Sequence, residues 1–150
     1  GDKTSAMKRF CTNFHRLPDS VKSRLTVEND DKATMYSVVD LYEGVYKVIG
    51  IPIVFDYHHH RFNTGGLSEE DALEVAISTW GDIIPVVHYS ESRNIEQEDP
   101  KIRPQAHSDY VYDYIDTYDN RVDIMVEAKA KELAVLKYKE IHCGTRKDSN

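Results

Sequence analysis

The chain is predicted to be an α/β protein with parallel strands and helices outside them, and three observations carry that expectation. Four short apolar runs recur along 150 residues, an amphipathic stretch separates each run from the next, and no Asn-Gly turn joins two runs into a hairpin. Strands alternating with helices pair in parallel through right-handed crossovers. The pattern fits either an open doubly wound sheet or half of an eight-stranded barrel. A complete barrel takes about 250 residues and does not fit this length.

Each element has its own local reason. Ala6, Met7, Phe10, Cys11, Phe14 and Leu17 recur at three- and four-residue steps, the period of one helix face, and Pro18 closes that helix. Cys11 on this face reads as a core residue. Arg24-Leu25-Thr26-Val27 reads as the first strand, ending at Glu28-Asn29-Asp30-Asp31. A helix from about Thr34 carries Met35, Val38, Tyr42, Val45 and Ile49 on one face, with Gly50 as its left-handed terminator. Ile51 to Phe55 is nearly all apolar, as in a strand buried on both faces, and Pro52 is tolerated at its start.

Beyond the Gly65-Gly66 loop, Ser68 is placed to cap a helix bearing Leu73, Ala76, Ile77 and Trp80. Ile83 to Val87 is the third strand, and the polar segment from Glu91 to Pro104 is a long loop of the kind that carries function. Tyr110, Val111, Tyr114, Ile115 and Tyr118 are spaced as another helix, with its tyrosines read as packing rather than base-stacking groups. Val122 to Val126 is the fourth strand, and a last helix carries Leu133, Leu136 and Ile141 to Gly144.

Composition narrows the function. Nineteen Lys+Arg against 26 Asp+Glu leave a net charge of −7, which argues against a nonspecific nucleic-acid coat but not against a nuclease whose cations offset its carboxylates. The apolar runs fall far short of the roughly 20 residues of a membrane span. Cys11 and Cys143 make no disulfide framework and lack zinc-ligand spacing, which points to a reducing, intracellular setting. No G-x-G-x-x-G, Walker or nucleophile-elbow pattern is present. Ser90 is expected to be a hydrogen-bonding loop residue.

The chemistry collects at the strand ends, which converge on one mouth in parallel α/β folds. Glu28, Asp56, His88 and Glu127 follow the four strands in turn, His59 comes three residues after Asp56, and His107 can reach the same mouth. Any one of these alone reads as a helix cap or a solvated loop residue. Four in four is a stronger pattern. Three carboxylates and three imidazoles suit manganese, zinc or iron better than an all-oxygen calcium or magnesium cage. More than four ligands in one mouth calls for two or more divalent ions with a carboxylate between them. Of the triple histidine, at least one of His58 and His60 is expected outside the ligand set or exposed.

Several ordered motifs resemble the UV damage endonuclease family: Val27-Glu28-Asn29-Asp30-Asp31, Val54-Phe55-Asp56-Tyr57-His58-His59, His88-Tyr89-Ser90, His107-Ser108-Asp109-Tyr110 and Val126-Glu127-Ala128-Lys129-Ala130-Lys131-Glu132. The resemblance implies the C-terminal half of a TIM barrel, with residues 1–144 as a partial barrel domain and 145–150 as a polar tail. It implies incision of the phosphodiester immediately 5′ to UV photoproducts, as a step of DNA repair. It also implies a manganese-type cluster held by Glu28, Asp56, His59, His88, His107 and Glu127, with Glu28, Asp56, His88 and Glu127 catalytic.

The expected partners are UV-damaged double-stranded DNA and a missing N-terminal half or a second copy. The compartment is the cytoplasm of a prokaryote or the nucleus of a eukaryote. One departure stands out: the family's metal-bridging lysine is replaced by Val86. Its further histidine ligands and duplex-probing residues lie upstream of the stretch matched here. Asp-x-x-His is shared with apurinic endonucleases and sugar isomerases of related barrels, and a non-catalytic metal-binding half barrel is the remaining alternative.

Overall fold

A computed structural model describes residues 2–144; the expected polar tail, 145–150, lies outside the described residues. Helix α1 (Lys3–Phe14) starts earlier than its apolar spacing suggests, because the Asp2 carboxylate accepts from the Thr4 and Ser5 amides. Pro18 ends that run and opens the short α2 (Asp19–Lys22). Strand β1 is only Val27–Glu28, since the Arg24 and Leu25 amides bond back to the Val21 carbonyl and hold the expected strand start in a turn.

The next helix begins at Val38 rather than near Thr34, where a reciprocal capping box between Ser37 and Asp40 sets its start. It runs as α3 (Val38–Leu41), a π-helical turn (Tyr42–Tyr46) and α4 (Lys47–Ile49), and Gly50 ends it at φ 72° as expected. At the π turn α1 crosses closely: Met7 occupies the space a side chain on Gly44 would need, and the Cys11 thiol donates to the Gly44 carbonyl. Cys11 is buried, as its helix-face position predicts.

Strand β2 (Ile53–Asp56) passes directly into α5 (Tyr57–Phe62), then α6 (Glu69–Ile77) with its Ser68 cap. Strand β3 (Val86–Tyr89) begins later than the apolar run, because Ile83 bonds back to Trp80. A short α7 (Arg93–Glu96) breaks the long loop, and β4 (Asp123–Val126) and α8 (Glu132–His142) complete the chain.

The helix expected over Tyr110–Tyr118 does not form. Its amides are committed elsewhere: the Glu91 carboxylate accepts from the Tyr112 and Asp113 amides, and the Tyr138 hydroxyl accepts from the Ile115 amide. Val111 and Ile115 are still buried, so the apolar spacing reported burial and not conformation.

The strands form one parallel sheet in the order β1-β2-β3-β4, each beside its sequence neighbour. That order never reverses, unlike a doubly wound sheet, and is the winding of a (β/α) barrel. Paired parallel residues share a face, so Val27, Ile53, Phe55, Val87 and Tyr89 look out toward the helices while Asp56, Val86 and His88 look inward. The outer face is the core, where Phe55, Ile53, Leu73, Val45 and Tyr57 are almost wholly buried.

Helix α8 departs from the reading of its stripe: Ala134 is buried, whereas Leu133, Leu136 and Ile141 face solvent. Among the described residues, no helix is long and apolar enough to cross a membrane. Replacing the fully buried Leu73 by Ala leaves a cavity between α6 and β2. The expected loss, by chemical denaturation, is about 2–5 kcal/mol.

A candidate metal centre at the strand ends

The site begins with the Asp56 backbone. Asp56 ends β2 and caps α5, its Oδ1 accepting from the His59 amide at 2.8 Å. One turn of helix therefore puts the His59 ring beside the carboxylate that starts it. The His59 Nδ1–H donates to the Asn29 carbonyl at 2.8 Å, which leaves Nε2 as the lone-pair nitrogen. The Asn29 side chain in turn bonds the Asp56 backbone on both sides, and sequence reading missed it. The only cue was an amide placed directly after a strand-end carboxylate.

All six predicted residues come together. Glu28 spans two imidazoles, Oε1 at 3.3 Å from His59 Nδ1 and Oε2 at 3.3 Å from His88 Nδ1. Glu127 spans the next two, Oε1 at 3.4 Å from His88 Nδ1 and Oε2 at 3.7 Å from His107 Nδ1. Carboxylates and imidazoles thus alternate from His59 through Glu28, His88 and Glu127 to His107, with Asp56 Oδ2 3.7 Å from His59 Nδ1.

Loop pairing holds the far end. Ser92 bridges His107, and the Lys129 and Ala130 amides bond the Ser108 and Asp109 carbonyls, which locks the segment after Glu127 to the one bearing His107. Ligand atoms of Glu28, Asp56 and His88 lie within 4.8 Å of one another, a grouping that can hold a metal ion. One buried atom at its centre, Asp56 Oδ2, has no hydrogen-bond partner. An orphaned acceptor among three carboxylates fits a divalent cation.

Electrostatics reflects the crowding. Burial alone raises the Glu28 carboxyl, but hydrogen bonds and charge from His59 and His88 outweigh it and bring it down to about 2. Burial pushes Asp56 up to about 6 against the pull of the His59 amide. Burial lowers His59, yet Glu28 and Asp56 lift it to about 9. The Glu28 hydrogen bond raises His88, while burial lowers His107.

The neighbours refine the sequence picture. His58 and His60 are both buried, not exposed; His58 packs edge-on to His107 at 5.6 Å between ring centres, and His60 lies against Phe55. Ser90 is buried with its hydroxyl unpartnered, not hydrogen-bonded as expected. Val86 shares the inner face with His88 and is half-buried.

Comparison with known proteins now decides the family. The pattern of UV-endonuclease UvdE matches residues 1–145. The chain belongs to the UvdE family. A UV DNA damage endonuclease of Bacillus velezensis is 40% identical over 93% of this chain and 44% of its own length. One from Bacillus cereus (strain Q1) is 34% identical over 92% of this chain and 44% of its own length. The crystal structure of SacUVDE superposes with a TM-score of 0.73 at 33% identity, covering 93% of this chain and 48% of that one. The chain spans about half the length of these relatives.

The pKa shifts give a signed expectation for the metal-free chain. His59, raised from 6.5 to about 9, contributes stability that is complete below 6.5 and lost as pH rises through about 9. Asp56, raised from 3.8 to about 6, has the same sign and loses its contribution through about 6. Glu28, lowered from 4.5 to about 2, loses its contribution only as pH falls through about 2. With chelator present, the urea midpoint should therefore fall from about pH 7 to about pH 9.5, above the range in which the lowered His58, His60 and His107 act in the opposite sense. A midpoint that rises over that range would contradict the assignment.

Proposed function

We propose that this chain is the metal-binding half of a UV damage DNA endonuclease, an intracellular repair enzyme that hydrolyses the phosphodiester 5′ to UV photoproducts in duplex DNA. The observation that carries this reading is the alternating carboxylate–imidazole array, with motifs in the order the family has them. Residues 1–144 act as one partial barrel domain. Glu28, Asp56, His59, His88, His107 and Glu127 would hold two or more divalent ions, with manganese the proposed metal, and Glu28, Asp56, His88 and Glu127 form the catalytic core.

Bound ions would supply a polarised phosphate and an activated water. The chain's own side chains do the placing. Glu28 and Glu127 each present one oxygen to the imidazole on either side and would help hold the cations. Asn29 holds the His59 ring through its carbonyl on Nδ1. Three carboxylates in a chain of charge −7 repel a DNA phosphate until cations offset them.

A complementary half barrel is the proposed partner, corresponding to the upstream portion of the longer relatives. Met125 on β4 is 53% exposed and Leu136 on α8 61%, and Ile124, Leu133 and Ile141 of the same two elements are exposed as well. Wetting several such side chains costs several kcal/mol at about 25 cal/mol per Å².

Two outcomes test the reading. Without that half, a monodisperse monomer of the 150-residue chain with manganese should nick irradiated duplex no better than undamaged duplex; clear 5′ incision at the photoproduct by the monomer would overturn the need for a partner, and incision of abasic duplex instead would favour an apurinic endonuclease. Valine also leaves the space beside His88 without an anionic or chelating group. Val86→Lys, carboxylated on its amine in bicarbonate buffer, should therefore bind manganese more tightly or in greater number than the parent, measured by calorimetric titration, and identical isotherms would remove Val86 from the account.

A further inference from the structure

The geometry points to Asn29 as a positioning residue that sets the spacing between Glu28 and Asp56 and the orientation of His59. This inference rests on the metal-site reading above. Strand β1 contributes only two paired residues, Val27 opposite Ile53 and Glu28 opposite Val54, so the ladder ends two residues short of Asp56.

The Asn29 side chain takes over where the ladder stops. Its Nδ2 donates to the Asp56 carbonyl at 3.0 Å and its Oδ1 accepts from the Asp56 amide at 2.8 Å. An amide side chain thereby does the work of a neighbouring strand's backbone. The Asn29 main-chain carbonyl accepts from the His59 ring at 2.8 Å. Three of the six candidate ligands are thus referred to one residue: Glu28 precedes it in the chain, Asp56 is gripped by its side chain, and His59 is aimed by its carbonyl. Asn29 is 1% exposed and touches none of the mouth's carboxylate oxygens in a hydrogen bond, so it acts through its neighbours.

Loss of the amide frees the end of β1 to move away from β2, and groups that orient metal ligands typically carry about 10–100-fold in metal affinity. The test is manganese titration of the parent chain, Asn29→Ala, the milder Asn29→Ser, and a control, Thr79→Val. Thr79 is buried and accepts from the Ile53 amide at the opposite end of the same strand β2. Its loss therefore removes a comparable hydrogen bond without touching the mouth.

The expected result is manganese affinity weakened at least about tenfold in both Asn29 variants and unchanged in Thr79→Val, with thermal midpoints of all variants lowered together. The electron paramagnetic resonance line shape of bound manganese should change in the Asn29 variants alone. Parent-like affinity and line shape in a folded Asn29 variant would overturn the positioning role while leaving the metal site standing. Equal weakening in Thr79→Val would reduce Asn29 to a structural residue. A parent chain that binds no manganese would overturn the metal reading and this inference with it.

Discussion

Three carboxylates share one half-buried mouth, and much of the surrounding structure answers the repulsion among them. Water screens poorly there, so each charge needs an opposite one within a few ångströms. The chain supplies imidazoles, one between each neighbouring pair of acids and one beyond Glu127. That arrangement explains why Glu28 and His59 shift in opposite directions while Asp56, the most buried acid, is held back toward its neutral form. A protonated histidine and a divalent cation are alternative answers to one electrostatic problem. A divalent cation held at this mouth would therefore displace protons from histidine.

Meeting that demand requires rigid placement, and the sheet provides it unevenly. The outer face of β2 and β3 is locked against α3, α5 and α6, with Phe55, Tyr57 and Leu73 wholly buried. The β3–β4 ladder has four paired positions, whereas β1 has two. The shortest strand thus carries Glu28, the acid that spans two histidines. Asn29 and the loop tied by Asn63 to the Asp30 carbonyl compensate for the missing strand length.

Much of the site could be read from sequence, and less of the local structure could. Glu28, Asp56, His88 and Glu127 were visible because apolar runs mark strands and strand ends converge. The six residues do meet. Strand starts were misplaced at Arg24 and Ile83 because apolar character extends into turns whose amides bond backward. The helix expected over Tyr110–Tyr118 failed for a different reason. Its i, i+4 apolar pair, Val111 and Ile115, is buried as the spacing says, but distant acceptors such as Glu91 claim the backbone, and periodicity carries no information about them. Asn29 escaped notice because its role depends on where β1 stops, and no local pattern encodes that.

The outward stripe of α8 is the most instructive mismatch. Leu133, Leu136 and Ile141 have the spacing of a buried face, yet the chain buries Ala134 and turns that stripe to solvent. Both faces of one helix cannot pack against β4 alone. Small Ala134 permits close approach to the sheet, and the larger side chains then need a second surface. The inner sheet face repeats the argument: Met125, paired with His88 in register, stands open where an enclosed barrel would have an opposite wall. Apolar spacing on α8 and β4 thus reports side chains that the described residues leave uncovered. The alternating acids and histidines sit at the rim of that same open inner face.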